Sequence, residues 1–171
     1  PSPFRLVEMG PGDGTLMADL LRAGRTVPGF VEAAELWLVE VSAPLRRLQA
    51  ERLEEAAPQW ADSLDAVPVG APMILVANEL LDCLPTQQFV RTEKGWAERM
   101  VGLNEAGELV FGLSAALPPD GRHGEVGAVF ETSPAQAALG AQIGARLAAD
   151  GGAALLIDYG PAAGEAGGDT F

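Results

Sequence analysis

The sequence predicts an α/β fold, a doubly wound and mostly parallel β-sheet whose strands are joined by helices. Three observations lead there. Short apolar runs at residues 4–7, 36–41, 72–77 and 153–159 alternate with stretches of helical periodicity. The run at 72–77 is apolar on both faces, as a central parallel strand covered on two sides must be. The first run passes through Glu8-Met9-Gly10-Pro11-Gly12-Asp13-Gly14 into a helix-like segment, the strand, glycine turn and helix of a nucleotide cradle. With 171 residues and 48% hydrophobic content, one domain over residues 1–171 is expected.

Alternate glycines let the backbone take positive φ and let a ligand approach without meeting a Cβ, while the following helix turns unpaired N–H groups toward the turn. The dinucleotide fingerprint G-x-G-x-x-G would need glycine at position 15, and Thr15 stands there, which opposes a nicotinamide cofactor. Leu16, Met17, Leu20 and Leu21 give the first helix its apolar face, and Gly24 is the expected residue just past its end. Pro28 opens a short second helical piece before strand two at 36–41. Ser42 is an N-cap with Pro44 in the first turn, and Leu45, Leu48 and Leu53 continue one apolar face until Pro58 forbids further helix. Residues 60–64 form a weak third strand and 72–77 a strong fourth.

The alternation then breaks. Strand-like segments at 88–91, 95–103 and 108–113, separated by turn residues, read as a β-meander inserted at about 86–113. A flexible loop is expected at about 114–127. Ser133-Pro134 starts another helix, which ends at Asp150-Gly151-Gly152 before strand five at 153–159, and 161–169 reads as an exposed loop. Because the first strand begins almost at residue 1 and the chain stops soon after strand five, a fragment lacking N- and C-terminal parts is expected.

Charge narrows the function classes. Twenty-four acidic against 11 basic residues give a formal charge of −13, which repels phosphate backbones and anionic membranes, so no nucleic-acid partner is expected. The sequence has no apolar segment long enough for a membrane span. A lone Cys83 cannot form an internal disulfide and reads as a buried small hydrophobe; a reducing, soluble compartment is expected. No metal site is read.

In a doubly wound sheet ligands bind outside the carboxyl ends of the strands at the switch point of strand order, here between strands one and four. Glu40 ends strand two and is placed to accept hydrogen bonds from ribose hydroxyls, or else to complement the helix that starts at Ser42. Asp62 in strand three faces an adenine amine or is a solvated loop charge. Asn78 and Glu79 end strand four, and Asp82 follows Glu79 at i+3, so a helical turn there would put both carboxylates on one face beside the cofactor. They would orient a cationic acceptor and take its proton, or simply cap the turn.

Four segments together are family-specific: residues 7–17 around the glycine turn, Val39-Glu40-Val41-Ser42, Ala77-Asn78-Glu79-Leu80-Leu81-Asp82-Cys83-Leu84-Pro85, and Leu156-Ile157-Asp158-Tyr159-Gly160. They resemble the MidA family of class I S-adenosylmethionine methyltransferases, found in bacteria and mitochondria. The resemblance implies a Rossmann-like fold with S-adenosyl-L-methionine as cofactor. Glu8, Gly10, Gly12 and Gly14 would hold its methionine and ribose portion, Glu40 the ribose hydroxyls and Asn78 the methionine amine. It also implies a protein arginine as acceptor, in one branch a respiratory-complex subunit, and a place in the bacterial cytoplasm or the mitochondrial matrix. Cys83 and Thr86 depart from the family pattern. The rival reading is a cofactor-binding assembly factor or interaction domain that transfers no methyl group.

Overall fold

In the computed structural model, which describes residues 2–114 and 123–160, the chain runs β1 (Phe4–Met9), α1 (Thr15–Gly24), α2 (Phe30–Ala33), β2 (Ala34–Val39), α3 (Ala43–Arg52), β3 (Gln59–Ala61) and β4 (Met73–Asn78). There follow β5 (Gln87–Thr92), β6 (Gly95–Leu103), β7 (Leu109–Ser114), β8 (Val129–Thr132), α4 (Pro134–Asp150) and β9 (Gly152–Ile157). These elements divide between two units, one of Pro1–Cys83 with Leu139–Tyr159 and one built on Leu84–Ala138.

The first unit holds a five-stranded parallel sheet in the order β3-β2-β1-β4-β9. Strand order reverses between β1 and β4, the switch point expected from the sequence. β1 is buried along its whole length, and its side chains alternate between two cores. Phe4 and Leu6 join Met17 and Leu21 of α1, with Leu36 and Leu38. Val7 and Met9 join Leu75, Ala77 and Ile143 of α4. Helices therefore cover both faces. Each fully buried Leu, Met or Val contributes about 1.5–3 kcal/mol, so this two-sided burial is the main force holding the unit together.

Several local expectations change. Gly24 is not a left-handed cap: α1 continues through it into Arg25, and a Cβ there would lie 2.7 Å from the Phe30 ring, so its small size admits α2. Ser42 does cap α3, its hydroxyl accepting the Leu45 N–H. The apolar face read for α3 is different: Leu48 is exposed, and the one fully buried residue of that helix is Gln49. Strand three is shorter than read and begins at Gln59.

The second unit contains the expected meander, β5, β6 and β7, in an antiparallel sheet of order β7-β6-β5-β8. Asn104 closes the β6–β7 turn by accepting the N–H groups of Ala106 and Glu108. The fourth strand, β8, was not read from the sequence; it pairs antiparallel with β5. Of the loop expected at 114–127, Ser114 belongs to β7 and 115–122 lie outside the described residues, as does the loop expected at 161–169.

Where β9 enters the sheet, Gly152 has φ +116°, and a Cβ on it would stand 1.9 Å from the Met73 carbonyl oxygen. Backbone strain and a clash with a paired strand act together. Gly152→Ala is expected to destabilise the protein by at least about 2 kcal/mol. Urea unfolding checks this, and an unchanged midpoint would show that the β4–β9 pairing tolerates the Cβ.

Candidate cofactor site

Parallel register brings the carboxyl ends of the strands level. Met9 pairs with both Val39 and Ala77, Val39 with Ala61, and Asn78 with Ile157. Six of the residues singled out from the sequence stand at those ends or one place past them: Gly10, Glu40, Asp62, Asn78, Glu79 and Asp158. Two backbone bonds tie the exits together, Gly10 N–H to the Val39 carbonyl and Glu40 N–H to the Ala61 carbonyl, both at 3.0 Å.

Gly10, Gly12 and Gly14 all have positive φ, of 66°, 55° and 85°. The room left by each absent Cβ is used differently. At Gly10 a Cβ would meet Leu80 Cδ1 at 3.0 Å, and at Gly14 it would come into ordinary contact with Leu53 at 3.4 Å and Gln49 at 3.5 Å. At Gly12 it would meet no described atom within 4 Å, so this glycine alone of the three leaves open space above the turn. Asp13 stabilises the start of α1 by accepting the Thr15 N–H and hydroxyl, and pairs with Arg52 at 2.7 Å. Those bonds, Thr15 first, hold its carboxyl below the usual range. Thr15 thus has a structural task at the position where a dinucleotide site would have its third glycine.

Glu8 lies at the end of β1 on the α1 face, 2% exposed, and its Oε2 has no hydrogen-bond partner among the described residues. Burial pushes its carboxyl up to about 7. Glu40 is also buried, but its Oε1 accepts the Ser42 N–H at 2.7 Å and its Oε2 a long contact of 3.5 Å from Gln49 Nε2. The Ser42 bond holds this carboxylate at the start of α3. Arg46 binds the Glu40 backbone carbonyl and pairs with exposed Asp62 at 2.6 Å. Asp62 is thus a solvent-exposed carboxylate that pairs with Arg46.

Asn78 and Glu79 are exposed at the end of β4. Glu79 adopts φ 51°, an unusual left-handed conformation for a non-glycine residue, held by its N–H on the Ile157 carbonyl at 2.8 Å. The helical turn that was to bring Glu79 and Asp82 together is a short 3₁₀ turn, Leu81–Cys83, with Asp82 inside it and Glu79 before it. Asp158 accepts the Leu81 N–H at 2.8 Å and so fastens this turn to the end of β9. Cys83 is exposed, not the buried hydrophobe read from the sequence. A buried residue that sequence reading missed is Gln49, which the structure brings against the glycine turn and which no signal in the sequence distinguishes.

The open space at Gly12, the unpartnered Glu8 and the fixed Glu40 carboxylate fit a ligand with cationic and hydroxyl donors and no pyrophosphate. Fold and site define a Rossmann-like domain of the class I methyltransferase type. Residues 1–171 match the family described as "Putative S-adenosyl-L-methionine-dependent methyltransferase", and the chain belongs to that family, which bears out the MidA resemblance. Among curated relatives, the zebrafish (Danio rerio) "Protein arginine methyltransferase NDUFAF7, mitochondrial" is 33% identical over 93% of this chain and 44% of its own length. The human (Homo sapiens) protein of that name is 32% identical over 92% and 42%. A Burkholderia thailandensis protein crystallised with S-adenosyl-homocysteine superposes with a TM-score of 0.75 at 30% identity, over 93% of this chain and 42% of that one. The chain thus spans less than half the length of the relatives it matches.

Glu8 yields a pH prediction with a definite sign. Its folded pKa of about 7 lies above the ordinary 4.5, so its contribution to stability is full below about pH 4.5, falls as pH rises to about 7, and is flat beyond. Glu8→Gln stays neutral throughout. The melting temperature of Glu8→Gln minus that of wild type should therefore rise between pH 4.5 and 7.5 in scanning calorimetry of the ligand-free protein. A difference that stays constant with pH would mean that Glu8 ionises freely in the folded state.

Proposed function

We propose that this chain is the S-adenosyl-L-methionine-binding part of a protein arginine methyltransferase. The observation that carries the reading is the placement of the glycine turn that opens at Gly10, of Glu40 and of Asn78 at the level ends of three adjacent parallel strands, with open space left at Gly12. When bound, the cofactor supplies an electrophilic methyl group on a sulfonium sulfur. Glu8 and the glycine turn would hold its methionine and ribose portion, Glu40 its ribose hydroxyls, Asp62 its adenine edge and Asn78 its amine. Glu79 and Asp82, at the strand end where an acceptor must approach, would orient a guanidinium and take the proton its nitrogen releases. A guanidinium keeps its proton up to pH ~12 and is a poor nucleophile while charged, so two carboxylates beside it are the chemistry required.

The arginine acceptor is supported by the names of the mitochondrial relatives. A respiratory-complex subunit is the finer expectation from the family resemblance, in a bacterial cytoplasm or, in a eukaryote, the mitochondrial matrix. No helix among the described residues is long and apolar enough to cross a membrane.

Calorimetry on the full-length protein with S-adenosyl-L-methionine, S-adenosyl-homocysteine, NAD and ATP tests the cofactor; the first two should bind and the others should not. Glu40→Ala removes charge-assisted hydrogen bonds of roughly 1.5–3 kcal/mol each and should weaken S-adenosyl-homocysteine at least tenfold. Wild-type affinity in that variant would leave Glu40 with its Ser42 bond alone.

Catalysis is tested separately. Glu79→Gln and Asp82→Asn preserve size and much of the hydrogen bonding, but cannot accept the proton of a guanidinium. Turnover should fall at least ~100-fold with cofactor affinity nearly unchanged. Wild-type turnover in both would make the two acids capping residues, and binding without any turnover in the unmutated protein would favour the assembly-factor reading.

A further inference from the structure

α3 has one fully buried residue, and it is an amide. Gln49 is 0% exposed, while the apolar Leu48 beside it is turned out to solvent. Its Nε2 donates to the Gly12 carbonyl at 2.7 Å and makes the 3.5 Å contact with Glu40 Oε2; its Oε1 accepts the Trp60 indole N–H at 2.8 Å. Its Cγ and Cα also form the floor under Gly14, 3.5 and 3.6 Å from where a Cβ would stand.

The chemistry of these partners leaves the amide a single orientation. An indole N–H only donates, and a backbone carbonyl and an ionised carboxylate only accept. Oxygen must face Trp60 and nitrogen must face Gly12 and Glu40; a flipped amide would oppose like groups at all three places. Leucine or methionine at this position would pack against Gly14, yet would leave the Trp60 N–H and the Gly12 carbonyl without their partner. Leaving a buried polar group unpartnered is the unfavourable outcome that a fold avoids. Gln49 thus joins the glycine turn, 37 positions before it in the chain, to the acid that follows β2.

We infer that Gln49 is a positioning residue for the cofactor: it sets the Gly12 carbonyl and the plane of the Glu40 carboxylate as one unit. Ser42 N–H holds one oxygen of that carboxylate and Gln49 Nε2 stands at the other. The inference rests on the proposed cofactor site, since both groups it joins belong to that site. Buried networks of this kind are apportioned only by double-mutant cycles, because their members act together.

The test measures S-adenosyl-homocysteine affinity by calorimetry in the full-length wild type, Gln49→Met, Glu40→Ala and the double variant, with circular dichroism to confirm folding. Gln49→Met keeps an unbranched side chain of similar length and removes all three hydrogen bonds. It should weaken the ligand tenfold or more, and Glu40→Ala added to it should weaken binding less than threefold further. A residue that served packing alone would lower the melting temperature and leave the Glu40 effect at its full, multiplicative size. Wild-type affinity in folded Gln49→Met, or fully multiplicative losses, overturns the inference. If Gln49→Met does not fold, Trp60→Phe decides. It keeps a ring at position 60 while releasing the amide oxygen, and should cost threefold or more in affinity; unchanged affinity there overturns the inference equally. Failure of the unmutated protein to bind S-adenosyl-homocysteine is a different result, because it removes the cofactor site itself.

Discussion

The parallel register of β1 with both of its neighbours is the constraint on which the rest of the first unit depends. Met9 stands opposite Val39 on one side and Ala77 on the other, and that single level determines where every strand exit lies. Register in such a sheet is enforced by burial on both faces, since a slip of one residue would send each side chain of β1 into the opposite core. Such a slip would turn Glu8 toward the core of Val7 and Met9, and Val7 toward the core of Phe4 and Leu6. The hydrophobic alternation of Phe4, Leu6, Val7 and Met9 thus holds the carboxylates and glycines in their places at the rim.

α3 performs the second half of that task from outside the sheet. Arg46, Gln49 and Arg52 follow one another at three-residue intervals, which puts them along one side of the helix. Arg46 takes the Glu40 carbonyl and Asp62, Gln49 takes the Gly12 carbonyl, and Arg52 takes Asp13 and the Thr15 hydroxyl. An apolar face would have buried more surface but could not have satisfied the backbone groups that a glycine turn leaves open. The helix is polar where it meets the loops because its partners there are carbonyls and carboxylates. The three glycines show the complementary side of this packing: Leu80 crowds the place at Gly10, Leu53 and Gln49 line the one at Gly14, and the one at Gly12 stays open.

Much of this was legible in the sequence, because its signals were local. The glycine turn, the alternation of strands and helices, the Ser42 cap and the three-stranded meander all depend on residues close together in the chain. What was missed depends on contacts between distant ones. β8 is four residues long and is a strand because it lies against β5, some 40 positions earlier. Gly24 does end α1, but its small size serves the Phe30 ring rather than a left-handed cap. Gln49 looks like an ordinary solvated helix residue, and no periodicity distinguishes it, since its partners are a carbonyl at position 12 and an indole at position 60. Cys83 was read from its type alone, and the 3₁₀ turn it occupies turns it to the surface.

Glu8 and Glu40 end adjacent strands, and the fold treats them in opposite ways. Glu40 has backbone and amide N–H groups on its two oxygens before any ligand arrives, so its charge is supported by the protein itself. Glu8 is stripped of water with one oxygen unsupported, and its ionised form is disfavoured as a result. A group of that kind lowers stability near neutral pH and persists in a fold where another factor compensates. A donor or cation brought to Glu8 by a ligand meets a carboxylate that folding has already dehydrated and fixed, so its removal from water adds no further penalty at binding. On the proposed reading Glu40 would contribute a stationary acceptor and Glu8 a response, and the electrostatic change on ligand binding would be concentrated at Glu8.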